Sequence, residues 1–175
     1  MLLRVMPPIE PPDIHYLSAA VGWLGLGNTA EARAELAQLS PGLRRHPDVL
    51  EVRWLICAQE AHWAEALQVA RELLVHAPER ASGWLHQAYA LRRVQGGGLR
   101  QAWEALLPAF EQFPREATIA YNLACYACQL RELDLARQWL KRAAAIGGSK
   151  PITAMALADP DLEPLWEEIR SAEQL

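Results

Sequence analysis

The sequence predicts an all-α chain: about four stacked antiparallel helix pairs forming an α-solenoid, closed by C-terminal capping helices. Three observations carry this. Apolar residues recur at helical spacing, and no segment alternates as a half-buried strand does. Alanines that each open an apolar helical stretch stand at Ala32, Ala66, Ala102 and Ala136, separated by 34, 36 and 34 residues. Four and seven residues after each alanine come Leu36, Ala70, Leu106 and Leu140, then Leu39, Leu73, Ala109 and Ala143, so every set lies on one helix face.

A Pro-rich segment over 1–12 precedes the repeats, which cover 13–148 as units of about 13–46, 47–79, 80–115 and 116–148. Helices are expected near 13–26, 29–39, 47–60, 63–76, 80–94, 99–112, 116–130 and 133–146. Pro78 and Pro114 lie twelve residues beyond their alanines, where they stop one unit and start the next. Ala20 and Ala124 lie twelve residues before theirs, and Ala88 takes the matching place in the third unit. Small residues at matched places let the two helices of a pair approach, and stacked pairs share a core that one pair cannot build alone. The 36-residue spacing follows from Gly96-Gly97-Gly98, a turn two residues longer than its counterparts and read as flexible. The connection beginning Ser40-Pro41-Gly42 delays Pro47 by three residues. Trp54 stands where the second unit should carry a small residue, and Pro108 should kink its helix unless its face is exposed. Trp23, Trp63, Trp84 and Trp139 fall on apolar stripes as core candidates, whereas Trp103 is expected to be partly exposed.

Residues 149–175 are read as capping helices: a short one from Pro151, then one running to about Ser171 with Asp161 as N-cap and Glu163 in its first turn. Six carboxylates and one arginine in 155–175 give that stretch −5 and leave about +1 for the rest of the chain. The acids are read as a solvated lid face. With a net charge of −4, no basic field exists to hold a nucleic acid. Cys57, Cys125 and Cys128 are too few for a disulfide framework and suit a reducing compartment. The apolar start Met1–Met6 is too short for a signal peptide's core, and the longest uncharged stretch, His15–Ala30, falls short of a membrane span. A cytoplasmic protein, monomeric or weakly dimeric, is expected.

The period, the small-residue positions and the terminal prolines resemble the tetratricopeptide repeat (TPR) family. The fourth unit, from Tyr121-Asn-Leu-Ala-Cys-Tyr126 through Leu133-Asp-Leu-Ala136 to Leu140-Lys-Arg-Ala143, is closest to the motif. The first, with Leu26-Gly27-Asn28 at its turn, is nearly as good. The resemblance covers most of the chain. It implies a right-handed stack and a protein-binding concave face made by the first helix of each pair.

Chemistry finds little support. Cys125 and Cys128 are one turn apart in mid-helix, whereas a structural zinc site needs four ligands and a redox pair wants a helix N-terminus. The five histidines are scattered, and Gly96-Gly97-Gly98 lacks the strand and the Gly-Lys-Ser/Thr of a phosphate loop. No base, nucleophile and orienting group are nominated together, so no enzyme, metal or cofactor is expected.

Counting along the first helices gives the groove stripe. The second unit contributes Val52, Leu55 and Gln59; the third His86, Tyr89, Arg92 and Arg93; the fourth Tyr121, Asn122, Cys125 and Gln129. The last two sets combine aromatic, amide and guanidinium groups without a carboxylate. Asn122 matches the asparagine with which peptide-binding members of the family hold a ligand backbone. The expected role is a non-enzymatic interaction scaffold that takes a peptide or protein partner, with an acidic or C-terminal segment as ligand. Arg92 and Arg93 are 100° apart on a helix, so one points into the groove and the other covers apolar surface with its stem. The alternatives are a dedicated secretion-type chaperone and a thiol- or metal-dependent regulator using Cys125 and Cys128.

Overall fold

The structure, a computed structural model, describes residues 8–172, and the apolar start Met1–Met6 lies outside them. Among the described residues every regular element is helical. Tertiary contacts gather the chain into two compact units, Met1–His86 and Gln87–Leu175.

In the first unit, α1 (Asp13–Gly25) pairs with α2 (Thr29–Ala37), and α3 (Pro47–Gln59) pairs with α4 (Trp63–His76). Ala20, Ala32, Ala66 and Ala70 are completely buried, as close helix approach requires. Asn28 caps α2 by accepting the Glu31 N–H at 3.2 Å. Pro47 occupies the first turn of α3, where its missing N–H has no partner to lose. The long connection between the pairs forms a short 3-10 turn, Pro41–Leu43, and Asp13 ties it back to α1 through the Ser40 N–H at 2.6 Å and hydroxyl at 2.9 Å. α5 (Ala81–Leu91) begins in this unit.

The second unit contains α6 (Leu99–Gln112), α7 (Ala117–Gln129), α8 (Leu133–Gly147), α9 (Ser149–Ala158), a 3-10 stretch Pro160–Leu165, and α10 (Trp166–Ala172). α7 packs against α6, α8 and the 3-10 stretch, so Leu123 through Cys128 are buried without interruption. α6 runs through Pro108, which is exposed, so the carbonyl it leaves without an N–H meets water. The Gly96-Gly97-Gly98 turn is not a slack loop. The Gly98 N–H donates to the Leu91 carbonyl at 2.9 Å, and a Cβ on Gly97 would lie 2.0 Å from that oxygen. Gly96 has φ +79°, a conformation that L side chains rarely adopt.

Two expectations are corrected. The last helix does not start at Asp161: Pro160 and Pro164 favour a 3-10 stretch capped by Asp159, which accepts the Asp161 N–H at 2.9 Å, and α10 starts only at Trp166. Of the four tryptophans expected in the core, only Trp139 is buried, while Trp23, Trp63 and Trp84 are half-buried. Trp54, the apparent misfit, is 6% exposed and stacks on His86 with ring centroids 3.7 Å apart. One face of the large ring is thus covered by a flat partner, the His86 imidazole.

Candidate functional site

The stripe of expected groove residues is distributed over both units. His86 belongs to the first. Its Nε2 lies 2.6 Å from the Glu51 carboxylate, and the Ser82 hydroxyl donates to the same carboxylate. Burial pushes the Glu51 carboxyl up, but the bonds from His86 and Ser82 outweigh it and hold it below the usual carboxylate range. A carboxyl lowered on folding contributes stability that is present above its unfolded value and lost as pH falls through its folded value. The unfolding free energy, measured in urea, is therefore expected to fall below about pH 4.3, the ordinary Glu value. Glu51→Gln should show a shallower fall over the same interval. Equal slopes would remove Glu51 from the account.

The predicted residues of the third and fourth units other than His86 lie in the second compact unit, and four of them surround one short segment of the chain. The guanidinium of Arg92 grips Asp161 with two N–H groups, one of them 2.7 Å from the carboxylate. The Gln129 amide donates to the Asp161 carbonyl at 2.9 Å. Nearer the start of α7, the Tyr121 hydroxyl donates to the Asp159 carboxylate at 3.0 Å, and the Cys125 thiol lies 3.5 Å from the same oxygen. Tyr121 and Cys125 are thus 5% and 3% exposed, beneath their own chain rather than open to a groove. Asp159 and Asp161, expected on a solvated lid, are half-buried and face inward, whereas Glu163 and Glu167 are solvated as expected.

The two arginines divide the roles that the sequence left open between them. Arg92 faces α7, with its guanidinium 5.8 Å from the Tyr126 ring centre. Arg93 lies over the Tyr89 ring at 3.5 Å and donates to the Tyr89 carbonyl at 3.1 Å. Asn122 turns back along α7, its amide donating to the Thr118 carbonyl at 2.8 Å.

The ligand atoms of Cys125, Asp159 and Asp161 lie within 4.8 Å of one another. Their capacity is largely used: Asp161 meets a guanidinium, and Asp159 accepts from Tyr121, from Cys125 and from the Asp161 N–H. Burial, with the Asp159 charge second, pushes the Cys125 thiol far up. Cys128 is also raised, chiefly by burial, and Cys57 is pushed up to about 11 for the same leading reason. Such thiols are poor nucleophiles, because the thiolate is the reactive form.

Sequence reasoning missed one feature. On the first unit, Val21, Leu24 and Gly25 of α1 and Leu55, Ala58 and Gln59 of α3 line an open apolar hollow, with Val21 52% and Leu55 47% exposed. Leu55 and Gln59 fall where the stripe put them, but Val52 is buried in the core. The α1 contribution was legible in the uncharged run after His15.

No family profile matches the chain, and no curated protein matches it. Among solved structures it is similar to TTC0263, a crystallised thermophilic TPR protein of Thermus thermophilus. The TM-score is 0.64 at 19% identity, over 91% of this chain and 96% of that one. The fold is therefore TPR-like: an all-α arrangement of helix pairs, as the period and the small residues imply. No helix among the described residues is long and apolar enough to cross a membrane.

Proposed function

We propose that the chain is a non-enzymatic protein-interaction scaffold, acting in the cytoplasm, that takes a peptide or partner segment on the faces made by the first helices of its pairs. One observation supports it above the rest. The α7 face, with Arg92, already holds an acidic stretch, Asp159 to Asp161, by carboxylate and backbone carbonyl together. Those are the contacts by which a scaffold holds a foreign acidic segment. On the second unit, Tyr89, Arg93 and Asn122 remain partly accessible to a partner, and on the first unit the apolar hollow at Val21 and Leu55 does.

The test is to capture a partner from the source cell's lysate, identify it, and measure its affinity by calorimetry for Leu55→Asp and for Arg93→Ala combined with Asn122→Ala. A carboxylate placed in the hollow must be desolvated by any apolar partner, so Leu55→Asp should weaken binding at least tenfold. The double variant should weaken an acidic partner. Parent-like affinity in both, with circular dichroism unchanged, would move the partner to another surface.

A further inference from the structure

The second unit carries a cavity that the interaction role does not use. It is bounded by α8, α9 and α10 with the adjoining end of the 3-10 stretch, measures about 700 Å³ and is open to solvent. Small-molecule sites fall in this size range. Its apolar lining is aliphatic: Leu140 and Ala144 from α8, Ile152 from α9, and Leu165 and Ile169 beyond.

The polar part of the lining is one-sided in charge. Arg137, Lys141 and Lys150 stand against a single carboxylate, Glu168. Arg137 takes that carboxylate with two bonds of 2.7 Å and holds it below its ordinary range. Lys141 and Lys150 have no ion-pair partner among the described residues, so two positive charges remain uncompensated. The start of α9 adds to them. Its N-cap, Gly148, offers no side-chain acceptor, and the Ser149 and Lys150 N–H groups precede the first turn bond, Ile152 N–H to Gly148 carbonyl. A helix start of this kind favours an anion.

We propose that this cavity binds an unbranched aliphatic carboxylate, with the carboxylate toward Lys150, Lys141 and the start of α9 and the chain along Leu140, Ile152 and Ile169. Charge decides the head group, since the cavity has uncompensated cations and its only acid is engaged. The lining decides the tail. It contains no aromatic ring for a planar ligand to stack on, and apart from the N–H groups at the start of α9 the helix backbones around it are internally bonded and offer an extended peptide few hydrogen bonds. An alkyl chain needs none.

Decanoate is the probe, titrated into the full-length chain by calorimetry against decanol and decyltrimethylammonium, which keep the tail and change the head. Decanoate should saturate at a single site at least tenfold more tightly than either, with affinity that falls as salt rises. Lengthening from octanoate to decanoate should tighten binding severalfold, because each buried methylene adds to the transfer free energy. Lys141→Gln combined with Lys150→Gln, both at exposed positions, should weaken decanoate about tenfold and leave decanol unchanged. Ala144→Phe, which fills the cavity, should abolish binding; if that variant does not fold, the chain-length series tests the tail in its place. Equal binding of the three head groups, no saturation, or a lysine double variant that binds like the parent would overturn the proposal. Such results would leave the scaffold reading untouched, since it rests on other residues.

Discussion

Truncation after Gly148 is expected to unfold the second unit, with loss of its helical signal and aggregation at micromolar concentration. Ile152, Leu162 and Leu165 are each at most 5% exposed, and Ala156 is fully buried. At about 1.5–3 kcal/mol for each large aliphatic side chain, their removal takes away roughly 5–9 kcal/mol. That is comparable with the whole stability of an ordinary domain, about 5–15 kcal/mol. The truncation also strips the Asp159 and Asp161 partners from Tyr121, Gln129 and Arg92 and exposes the α7 face. Circular dichroism melts and size-exclusion chromatography of the truncated and full-length chains provide the measurement. A truncated chain that stays soluble and melts within a few degrees of the parent would show that the cap is dispensable.

Arg92→Ala should destabilise by about 2–3 kcal/mol, and Arg93→Ala by less than about 1 kcal/mol, although the residues are neighbours. Arg92 and Asp161 are each 23% exposed, so the pair is neither a solvated surface bridge nor a dry one. Losing the guanidinium leaves a half-buried carboxylate whose charge nothing answers. Most of the cost is that orphaned charge, so Asp161→Asn in the Arg92→Ala background should recover part of it. Urea denaturation of the four members of this cycle isolates the coupling. Equal costs for Arg92→Ala and Arg93→Ala, or no recovery in the double variant, would contradict the assignment.

Local and periodic features were legible in the sequence. Ala20, Ala32, Ala66, Ala102 and Ala136 are all fully buried, and α4 and α6 have the bounds that periodicity and proline placement assign them. The small-residue rule works because it reflects a distance of helix approach, which every pair must satisfy. The cap was partly legible. Asp159-Pro160-Asp161 holds two candidate caps two residues apart, and proline after Asp159 marks the turn that decides between them. What the sequence concealed is non-local. Arg92 and Asp161 are 69 positions apart, and His86 and Glu51 are 35 apart. No periodicity brings such pairs together; the packing of several helices does. The stripe therefore grouped side chains of α7 but could not say that Asp159 and Asp161 of the same chain pack against them.

That packing has a thermodynamic consequence for any competitor. A tethered segment is present at its own site at an effective concentration of roughly millimolar, whatever the protein's dilution. A free acidic peptide that would bind the bare α7 face at about 10 µM must then work against a local rival in roughly hundredfold excess over that constant, and its apparent affinity drops to match. The rival is also anchored by Leu162, which is completely buried beside Asp161. A free acidic chain would therefore find this face already taken.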